Sequence, residues 1–377
     1  MVDRGPLSAY KFELIPYLEN WKNHSKIWEE LFFRCLEQKS FVSPFYHPLF
    51  LHSALNLPGS EQPTHLIIGM DGDTPIFGLP VKIKFPFLGR LTLEIWRENS
   101  FDHISPLDLT NNNRASKAFF DYGLNNLNVD LFVGEHVTPD FAEAGSQQKH
   151  SWSKRAFRCP YLLLPENKQE LLSHMSRSFR RKIRRDLRKA ESEKIHFRIR
   201  TADDGESALI NAFETLEFIH NQRSDSVKRN SSFSKNTPTQ YYSRIFHQAQ
   251  RWPNIVHFFE LVESEQVIAS LFGYIISDRF LGFQSGFLTD NEDLSPGSVL
   301  MFNSMSYLIE HGVHEFDFLR GADKYKFHWT STWREIMILA IGKGIFGGVL
   351  VNKFRIKRAM HRYGRLTGIR RWIRNED

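Results

Sequence analysis

Two stretches of the chain repeat the same order of apolar and polar positions. In each, two apolar segments flank a short polar turn and a third apolar segment follows, a pattern typical of a meander of three strands. These segments are 64–70, 76–83 and 90–96 in the first stretch, and 256–262, 267–276 and 280–287 in the second. Each stretch continues into a segment with helical periodicity and a further short strand, at 115–127 and 129–133, then at 298–311 and 315–319. The pattern predicts an internal duplication of a mixed α/β unit.

The length of the chain supports this duplication. The 377 residues exceed the roughly 100 to 200 residues of one ordinary domain, and the predicted join lies near 159–166. Apolar residues make up 41% of the chain, so each half has ample core material. Cys35 and Cys159 belong to no cluster, which predicts neither a disulfide framework nor a metal site. We find no signal peptide pattern and no run of about 18 apolar residues, so we expect a cytoplasmic protein.

Charge is distributed unevenly along the chain. The formal net charge is +6, but residues 1–150 carry −5 and the remainder carries +11. The second half is therefore expected to meet an anionic partner such as a nucleotide cofactor, RNA, a phosphorylated saccharide or a lipid surface. Charge alone does not choose among these partners.

A basic amphipathic helix is predicted over 176–189, with eight basic residues and one acid in fourteen positions. Its apolar positions recur every four residues and should pack on the domain: Met175, Phe179, Ile183 and Leu187. Another face carries the arginines at 177, 181, 184 and 188, with Arg180 and Arg185 at its margins. Guanidinium groups in such a row suit bidentate binding of phosphate or carboxylate. The alternative is a solvated face paired with acids elsewhere in the fold.

A second candidate site lies at the start of the helix predicted from 298. Ser295 precedes Pro296 as an N-cap precedes the first helical residue, which would leave the backbone amides of Gly297 and Ser298 free for an anion such as a pyrophosphate. Many helices start in this way without binding a ligand.

The segment 315–329 carries the strongest chemical signal. A strand ends at Gly321, and acids, cations and a phenol crowd the residues around it, as expected where acyl or phosphoryl groups are moved. The residues that carry this signal are Asp317, Arg320, Asp323, Lys324, Tyr325, Lys326 and His328, with Trp329 at the end. The alternative is a buried strand followed by a solvated charged turn.

Two further segments are polar or basic. Residues 223–239 are rich in Ser, Asn and Lys and predict a mobile loop, a candidate lid over a site. Residues 353–374 hold nine Lys and Arg and no acid, interleaved with apolar residues. This basic tail would suit an anionic membrane surface or RNA, and it would equally suit a closing helix that keeps its cations in water.

The order of these parts resembles the GNAT-fold proteins of the CelD (cellulose biosynthesis) and FemAB-like group. The resemblance rests on Ser-x-x-x-Arg-x-x-Ile-Arg-Arg from Ser176, the meander, the Ser-Pro-Gly-Ser start at Ser295, and Phe-Asp-Phe-Leu-Arg-Gly-x-x-x-Tyr-Lys-x-x-Trp from Phe316. It is most specific over 160–340. It implies tandem GNAT-like repeats of the α/β (α+β) class, each a mixed and mostly antiparallel sheet flanked by helices. The implied ranges are a degenerate repeat at 1–160, an acyltransferase repeat at 161–345 and the basic tail at 346–377.

The resemblance also implies roles for residues. The acyl thioester of acetyl-CoA or another acyl-CoA would lie between the strand that carries Gln284 and Ser285 and the strand that ends at Leu319, with its pyrophosphate at the helix start. The donor site would comprise Gln284, Ser285, Ser295, Gly297 and Ser298. Lys326 would stabilise the developing negative charge, Tyr325 would protonate the leaving thiolate, and Asp317 would act as general base. Substrate-binding residues would be Arg177, Arg180, Arg181, Arg184, Arg320 and Trp329, the last by stacking on a sugar or by closing the core.

The resulting hypothesis is an acyltransferase acting on a saccharide or lipid-linked saccharide in envelope or exopolysaccharide biosynthesis, with no metal. Only one glycine, Gly297, stands where a GNAT pyrophosphate loop commonly has several. The first alternative is therefore a FemAB-like aminoacyl transferase that uses aminoacyl-tRNA. The second is a non-catalytic scaffold or binding protein of a polysaccharide-synthesis complex.

Overall fold

The computed structural model describes residues 10–38, 42–55, 57, 62–85, 91–97, 101–226, 239–288, 294–321 and 323–367. The strands in this part of the chain are β1 (Lys11–Pro16), β2 (His65–Asp71), β3 (Thr74–Lys84), β4 (Thr92–Ile95), β5 (Leu107–Asp108), β6 (Leu131–Val137), β7 (Ser151–Leu163), β8 (His196–Arg200), β9 (Val256–Glu263), β10 (Gln266–Ile276), β11 (Arg279–Phe287), β12 (Glu315–Asp317) and β13 (Trp333–Gly342). The α-helices are α1 (Tyr17–Gln38), α2 (Pro48–Ala54), α3 (Arg114–Ala118), α4 (Leu124–Asn126), α5 (Pro139–Ser146), α6 (Lys168–His174), α7 (Arg177–Ser192), α8 (Glu206–Ser226), α9 (Thr239–Ala249), α10 (Pro296–Glu310) and α11 (Gly344–Thr367).

The chain forms two units whose bounds differ from the predicted ranges. Unit 1 comprises Met1–Phe45, Pro58–Ala156 and Glu335–Asp377, and unit 2 comprises Tyr46–Leu57 and Phe157–Arg334. Helix α2 therefore belongs to unit 2, although it lies early in the chain. Most of β13 and all of α11 belong to unit 1. The described part of the predicted basic tail is therefore a part of unit 1 and not a separate segment. The local pattern of apolar positions does not show to which unit α2, β13 or α11 belongs.

Unit 1 has a sheet in the order β1-β2-β3-β4-β6-β13. Its neighbours are antiparallel except for β4 and β6, whose parallel pairing runs from Thr92–Leu131 to Glu94–Val133. Beyond that pairing, the segment that follows β4 lies against β6, because Ile104 forms a parallel bridge with Val137. This edge of β6 is therefore occupied by the protein's own backbone.

Buried polar contacts hold that segment against β6. The imidazole Nδ1 of His136 lies 2.9 Å from a carboxylate oxygen of Asp102, and both side chains are buried. The ring of Phe101 stacks on that of Phe45 with centroids 4.5 Å apart. In unit 1 the space beside the end of the parallel pair is thus filled with protein.

Unit 2 contains the sheet order β7-β12-β11-β10-β9-β8, with Tyr161–Leu163 of β7 paired to β12. Side chains alternate across this sheet, so Phe258 and Phe259 lie on opposite faces. Phe258 packs with α9 through Phe246, whereas Phe259 packs with α10 through Tyr307. Both faces of the sheet are covered, as the strongly apolar strands predict.

Several sequence predictions are confirmed by these elements. Both meanders are present as β2 to β4 and β9 to β11, and α7 and α10 begin within two residues of the predicted positions. The sheets are mixed and mostly antiparallel with helices packed on them. The sequence pattern missed β1, β5, β7, β8 and β13. The predicted lid loop lies largely outside the described residues, at 227–238, and the last part of the basic tail does so at 368–377. Among the described helices, none is long and apolar enough to cross a membrane.

Candidate functional site

The central geometric feature of unit 2 is the point where β11 and β12 part. Their parallel pairing extends only from Arg279–Glu315 to Leu281–Asp317. Strand β11 continues to Phe287 beside β10, whereas the chain beyond β12 turns away through Leu319 and Gly321, whose φ values are 53° and 106°. The edge of β11 beyond Leu281 therefore has no pairing from β12, in contrast to the edge of β6 in unit 1.

Gln284 and Ser285 lie on this edge strand, both half-buried. A β-bulge precedes them, because the partner of Phe272 is Gln284 and the partner of Gly273 is Gly282, which leaves Phe283 as the extra residue. The bulge bends β11 where it leaves β12. The predicted donor-site residues on β11 are thus beside the parting point.

The helix α10 begins close to the end of β11. A Cβ on Gly297 would stand 2.8 Å from the ring of Phe287, so only glycine allows this approach without movement of the ring. The amide of Gly297 lies in the first helical turn, where no intrahelical acceptor exists. The amide of Ser298 donates to the carbonyl of Ser295 at 2.9 Å. The prediction that both amides are free is therefore wrong for Ser298.

Ser295 is the N-cap residue of α10 with Pro296 in the first turn, as predicted. Its side chain makes no capping hydrogen bond, and its hydroxyl instead accepts one from the ammonium of Lys182 in α7. The same ammonium lies 3.2 Å from a carboxylate oxygen of Asp186, which is completely buried and also pairs with Arg185 at 2.8 Å. A lysine ammonium thus stands at the N-terminus of α10, where its positive charge adds to that of the helix end.

Sequence reasoning did not select Lys182 or Asp186. The signal was present, because Asp186 is the one acid among the basic positions of this helix and lies four residues after Lys182. Only the fold shows that Ser295 completes the group.

The predicted arginine face is present on α7. Arg177, Arg181 and Arg184 are exposed, and their side chains have no hydrogen bond or ion pair with any residue that the structure describes. Arg180 is half-buried and donates to the carbonyl of Met175 at 3.4 Å. Together with Leu187 and Arg188, these arginines line an open depression of about 870 Å³.

Lys326 occupies a different environment from the one predicted for an oxyanion stabiliser. Its side chain is buried, and its Nζ donates to the carbonyls of Phe318 at 2.8 Å, Arg320 at 2.9 Å and Leu319 at 3.3 Å. These three acceptors use the three protons of the ammonium. We correct its role accordingly: Lys326 holds the turn after β12 in its reversed conformation, and its donors are not directed at a reacting group.

Asp317 is likewise part of a buried charge network. Its carboxylate accepts from the amide of Leu319 at 2.8 Å and lies 3.4 Å from the guanidinium of Arg334. Arg334 also pairs with Glu315, which in turn lies 2.7 Å from Nε of Arg279. Burial lowers the pKa of Arg334, but the hydrogen bond and charge of Glu315 and the charge of Asp317 outweigh it and raise this pKa above its ordinary value. A completely buried carboxylate in such a network is unsuited to the predicted role of general base.

The turn after β12 is attached to α7 by aromatic contacts. Trp329 is buried and meets the ring of Phe179 edge-on with centroids 5.1 Å apart, and His328 stacks on Phe179 at 5.0 Å. Trp329 therefore closes the core, and the prediction that it stacks on a sugar does not fit its placement. Tyr325 is 45% exposed and Arg320 is half-exposed, so these two residues remain candidates for contact with substrate.

These parts together suit the transfer of a group from an anionic carrier. A parted strand pair offers backbone groups, a helix N-terminus with an adjacent ammonium favours an anion, and an exposed phenol lies on the turn after β12. This combination is typical of domains that transfer an acyl group. Consistently, residues 177–327 match the family model described as Acetyltransferase (GNAT) domain. This match supports an acyltransferase.

Solved structures show that this fold extends over both units. The C-terminal domain of a lysylphosphatidylglycerol synthetase, described as putative, from Agrobacterium fabrum has a TM-score of 0.52 at 8% identity, covering 86% of this chain and 95% of that one. FemX has a TM-score of 0.51 at 11% identity, with 73% and 87% covered. L-PGS from Bacillus licheniformis has a TM-score of 0.50 at 12% identity, with 86% and 96% covered. No curated protein matches the sequence. The predicted fold of tandem GNAT-like repeats is confirmed.

Lys326→Met tests the structural role of this lysine. Methionine keeps much of the side-chain volume but donates no hydrogen bond, so three buried carbonyls lose their partner. We expect a loss of about 2–4 kcal/mol in the free energy of unfolding, since each unsatisfied buried group costs roughly 1–3 kcal/mol before water restores part of it. Urea unfolding measures this loss, and Lys324→Met, an exposed neighbour in the same turn, is the control. Unchanged stability together with loss of acyl transfer would instead restore the oxyanion role.

Proposed function

We propose that the protein transfers an acyl group from an acyl-CoA, acetyl-CoA being the simplest, to an amine or hydroxyl of a saccharide or lipid-linked saccharide in envelope or exopolysaccharide biosynthesis. The observation that carries the proposal is the parting of β11 and β12 beside the N-terminus of α10. It lies within the segment that matches the acetyltransferase domain model. The same position in unit 1 is filled by Phe101 to Ile104, so we assign the donor site to unit 2 alone.

The donor would bind along the edge of β11 beyond Leu281, with which β12 does not pair. Its thioester carbonyl could accept from a backbone amide in the strand segment that contains Gln284 and Ser285, and its pyrophosphate could meet the amide of Gly297. The ammonium of Lys182, held by Ser295 and Asp186, would add positive charge at that point. Arg181 and Arg184 offer further cations on the neighbouring helix.

The chemical step is attack of the acceptor nitrogen or oxygen on the thioester carbon. A new C–N or C–O bond forms, the C–S bond breaks, and the CoA thiolate takes up a proton while the acceptor releases one. Tyr325 is our choice for the proton donor, because its phenol is exposed on the turn after β12. Because Asp317 is held in buried ion pairs, we do not assign a buried carboxylate of β12 as the base that takes up the acceptor's proton.

The choice of a saccharide acceptor rests on the resemblance to the CelD group. The arginine face of α7 supports an acceptor or donor that carries phosphate, since the guanidinium groups of Arg177, Arg181 and Arg184 have no partner among the described residues. Arg320, near the same turn as Tyr325, would contribute a further cation.

Calorimetric titration with acetyl-CoA tests the donor site. We expect saturable binding in the micromolar range, and we expect Gly297→Ala to weaken it about tenfold, equivalent to roughly 1.4 kcal/mol. The physical reason is that the new methyl group would press on the ring of Phe287 and displace the first turn of α10. Ser306→Ala, later in the same helix, is the matched control and should bind like the unaltered protein. Absence of binding up to millimolar acetyl-CoA would exclude the acyl-CoA donor.

Tyr325→Phe tests the proton donor. Loss of a positioned general acid typically lowers turnover by about 100-fold to 10,000-fold, whereas affinity for acetyl-CoA should remain unchanged. The measurement is release of CoA thiol with a panel of amino sugars as acceptors. Phe327→Leu changes an exposed side chain of the same turn and is the control. A protein that keeps its cellular function with Tyr325→Phe would favour the non-catalytic scaffold.

The second candidate function is aminoacyl transfer from aminoacyl-tRNA, which the FemAB-like resemblance implies. The specific observation in its favour is the row of exposed arginines on α7, which exceeds what one pyrophosphate needs.

Binding of tRNA and acetyl-CoA to Arg181→Gln/Arg184→Gln distinguishes the two donors. If tRNA is the donor, it should bind with a steep salt dependence, and the variant should bind about twofold to fivefold more weakly per arginine, since exposed ion pairs contribute roughly 0.3–1 kcal/mol each. Arg155→Gln, which removes an exposed cation of unit 1, is the control. The aminoacyl-tRNA donor would be excluded if acetyl-CoA bound tightly and tRNA bound only weakly, with the same weak affinity for Arg181→Gln/Arg184→Gln as for the unaltered protein.

A further inference from the structure

Helix α11 has apolar residues on two opposite faces, and among the residues that the structure describes only one of these faces packs on the protein. The inward face follows a spacing of four, three and four residues through Gly347, Val351, Phe354 and Arg358. Gly347 lies so close to Gly342 that a Cβ would stand 2.5 Å from that backbone. Val351 is buried with Leu131, Val133 and Ala340. These contacts fix the orientation of the helix.

Two more contacts hold the second half of the helix in the same orientation. The ring of Phe354 meets that of Trp152 edge-on with centroids 6.0 Å apart. The guanidinium of Arg358 lies 2.8 Å from the carboxylate of Glu135. From Ile345 to Met360, the face on the other side of the helix is consequently directed away from unit 1.

That outward face carries large apolar side chains. Ile345 is 83% exposed, Val349 59%, Ile356 56% and Met360 54%. At 100° per residue these four positions fall within about 60° of one another. Phe346, 64% exposed, borders them. Single exposed apolar residues are ordinary, but an aligned stripe about 22 Å long indicates a surface that something covers.

The charge around the stripe indicates what covers it. Lys353, Arg355 and Lys357 are exposed beside the apolar positions, and the sequence of α11 contains no acidic residue. Apolar side chains with flanking cations fit a phospholipid surface, where the apolar groups enter the acyl boundary and the cations meet anionic headgroups. We propose that the outward face of α11 docks the protein on an anionic lipid bilayer, with the helix lying in the plane of the interface.

The same observations disfavour two other occupants. In a symmetric dimer this face would meet itself, which would bring the cations of both copies together without an acid to offset them. Nucleic acid would use the cations through its phosphates but would leave the apolar stripe in water. Both occupants are outcomes that the experiment distinguishes.

Vesicle flotation with the full chain tests the proposal, comparing phosphatidylcholine vesicles with vesicles of phosphatidylcholine and phosphatidylglycerol at 7:3. We expect at least tenfold stronger binding to the anionic vesicles, falling as salt rises. Val349→Ser/Ile356→Ser should weaken it at least tenfold. Arg355→Gln/Lys357→Gln should weaken it about tenfold and flatten the salt dependence, since basic residues near such a surface are attracted to its anionic headgroups. Leu18→Ser/Phe218→Ser replaces exposed apolar residues elsewhere and should change nothing.

Three outcomes would overturn the proposal: no binding at about 1 mM lipid, binding that Val349→Ser/Ile356→Ser leaves unchanged, or a dimer that this variant converts to a monomer without any vesicle binding. Displacement of the vesicles by RNA at equal affinity, with the stripe variant unaffected, would assign the face to nucleic acid. Circular dichroism and thermal unfolding of each variant verify the fold, which these exposed positions should not disturb. No acyl donor or acceptor is present in the assay, so its result is independent of the proposed function.

Discussion

The buried charge network at the parallel pair of β11 and β12 is the constraint on which the candidate site depends. Glu315 is placed between Arg279 and Arg334, and Arg334 also reaches Asp317. Removing one partner of a buried ion pair leaves an uncompensated charge and typically costs about 3–5 kcal/mol. The network therefore fixes the short strand β12 against β11 over three residue pairs, and the chain beyond Asp317 is then held away from β11 by the hydrogen bonds of Lys326. The opening beside β11 is a consequence of both sets of contacts.

Helix α7 connects this opening to the anion-binding surface. Its buried positions, Phe179 and Ile183, lie in the core of unit 2, and Phe179 receives the rings of His328 and Trp329. One turn away, Lys182 and Asp186 meet the start of α10 through Ser295. A single amphipathic helix thus orients the turn after β12, places a cation at the helix N-terminus and presents arginines to solvent. Its basic composition is explained only when these three tasks are considered together.

The sequence predicted the elements of the site better than the roles of its side chains. Strands β9 to β11 and helix α10 follow from local periodicity, which depends on residues near one another in the chain. The roles of Lys326 and Asp317 depend on the groups that their charged ends contact. The tertiary fold brings the carbonyl of Phe318 to Lys326 and the guanidinium of Arg334 to Asp317. A charged turn beside a strand is compatible with catalysis and with a charge network that shapes the site. The exchanged helix α2 escaped prediction for the same reason, because its partner α9 lies almost 200 residues away in sequence.

The two units share one repeated architecture but differ in what lies beyond the end of their parallel strand pairs. In each, two parallel strands pair over three residues and then stop, β4 with β6 and β11 with β12. In unit 1 the following segment returns as Phe101 to Ile104, and the bridge from Ile104 to Val137 with the buried pair of Asp102 and His136 fills the space. In unit 2 the reversed turn held by Lys326 leads the chain away from β11. Among the residues that the structure describes, the difference between a filled and an open strand pair is thus made by where the next few residues find buried polar partners.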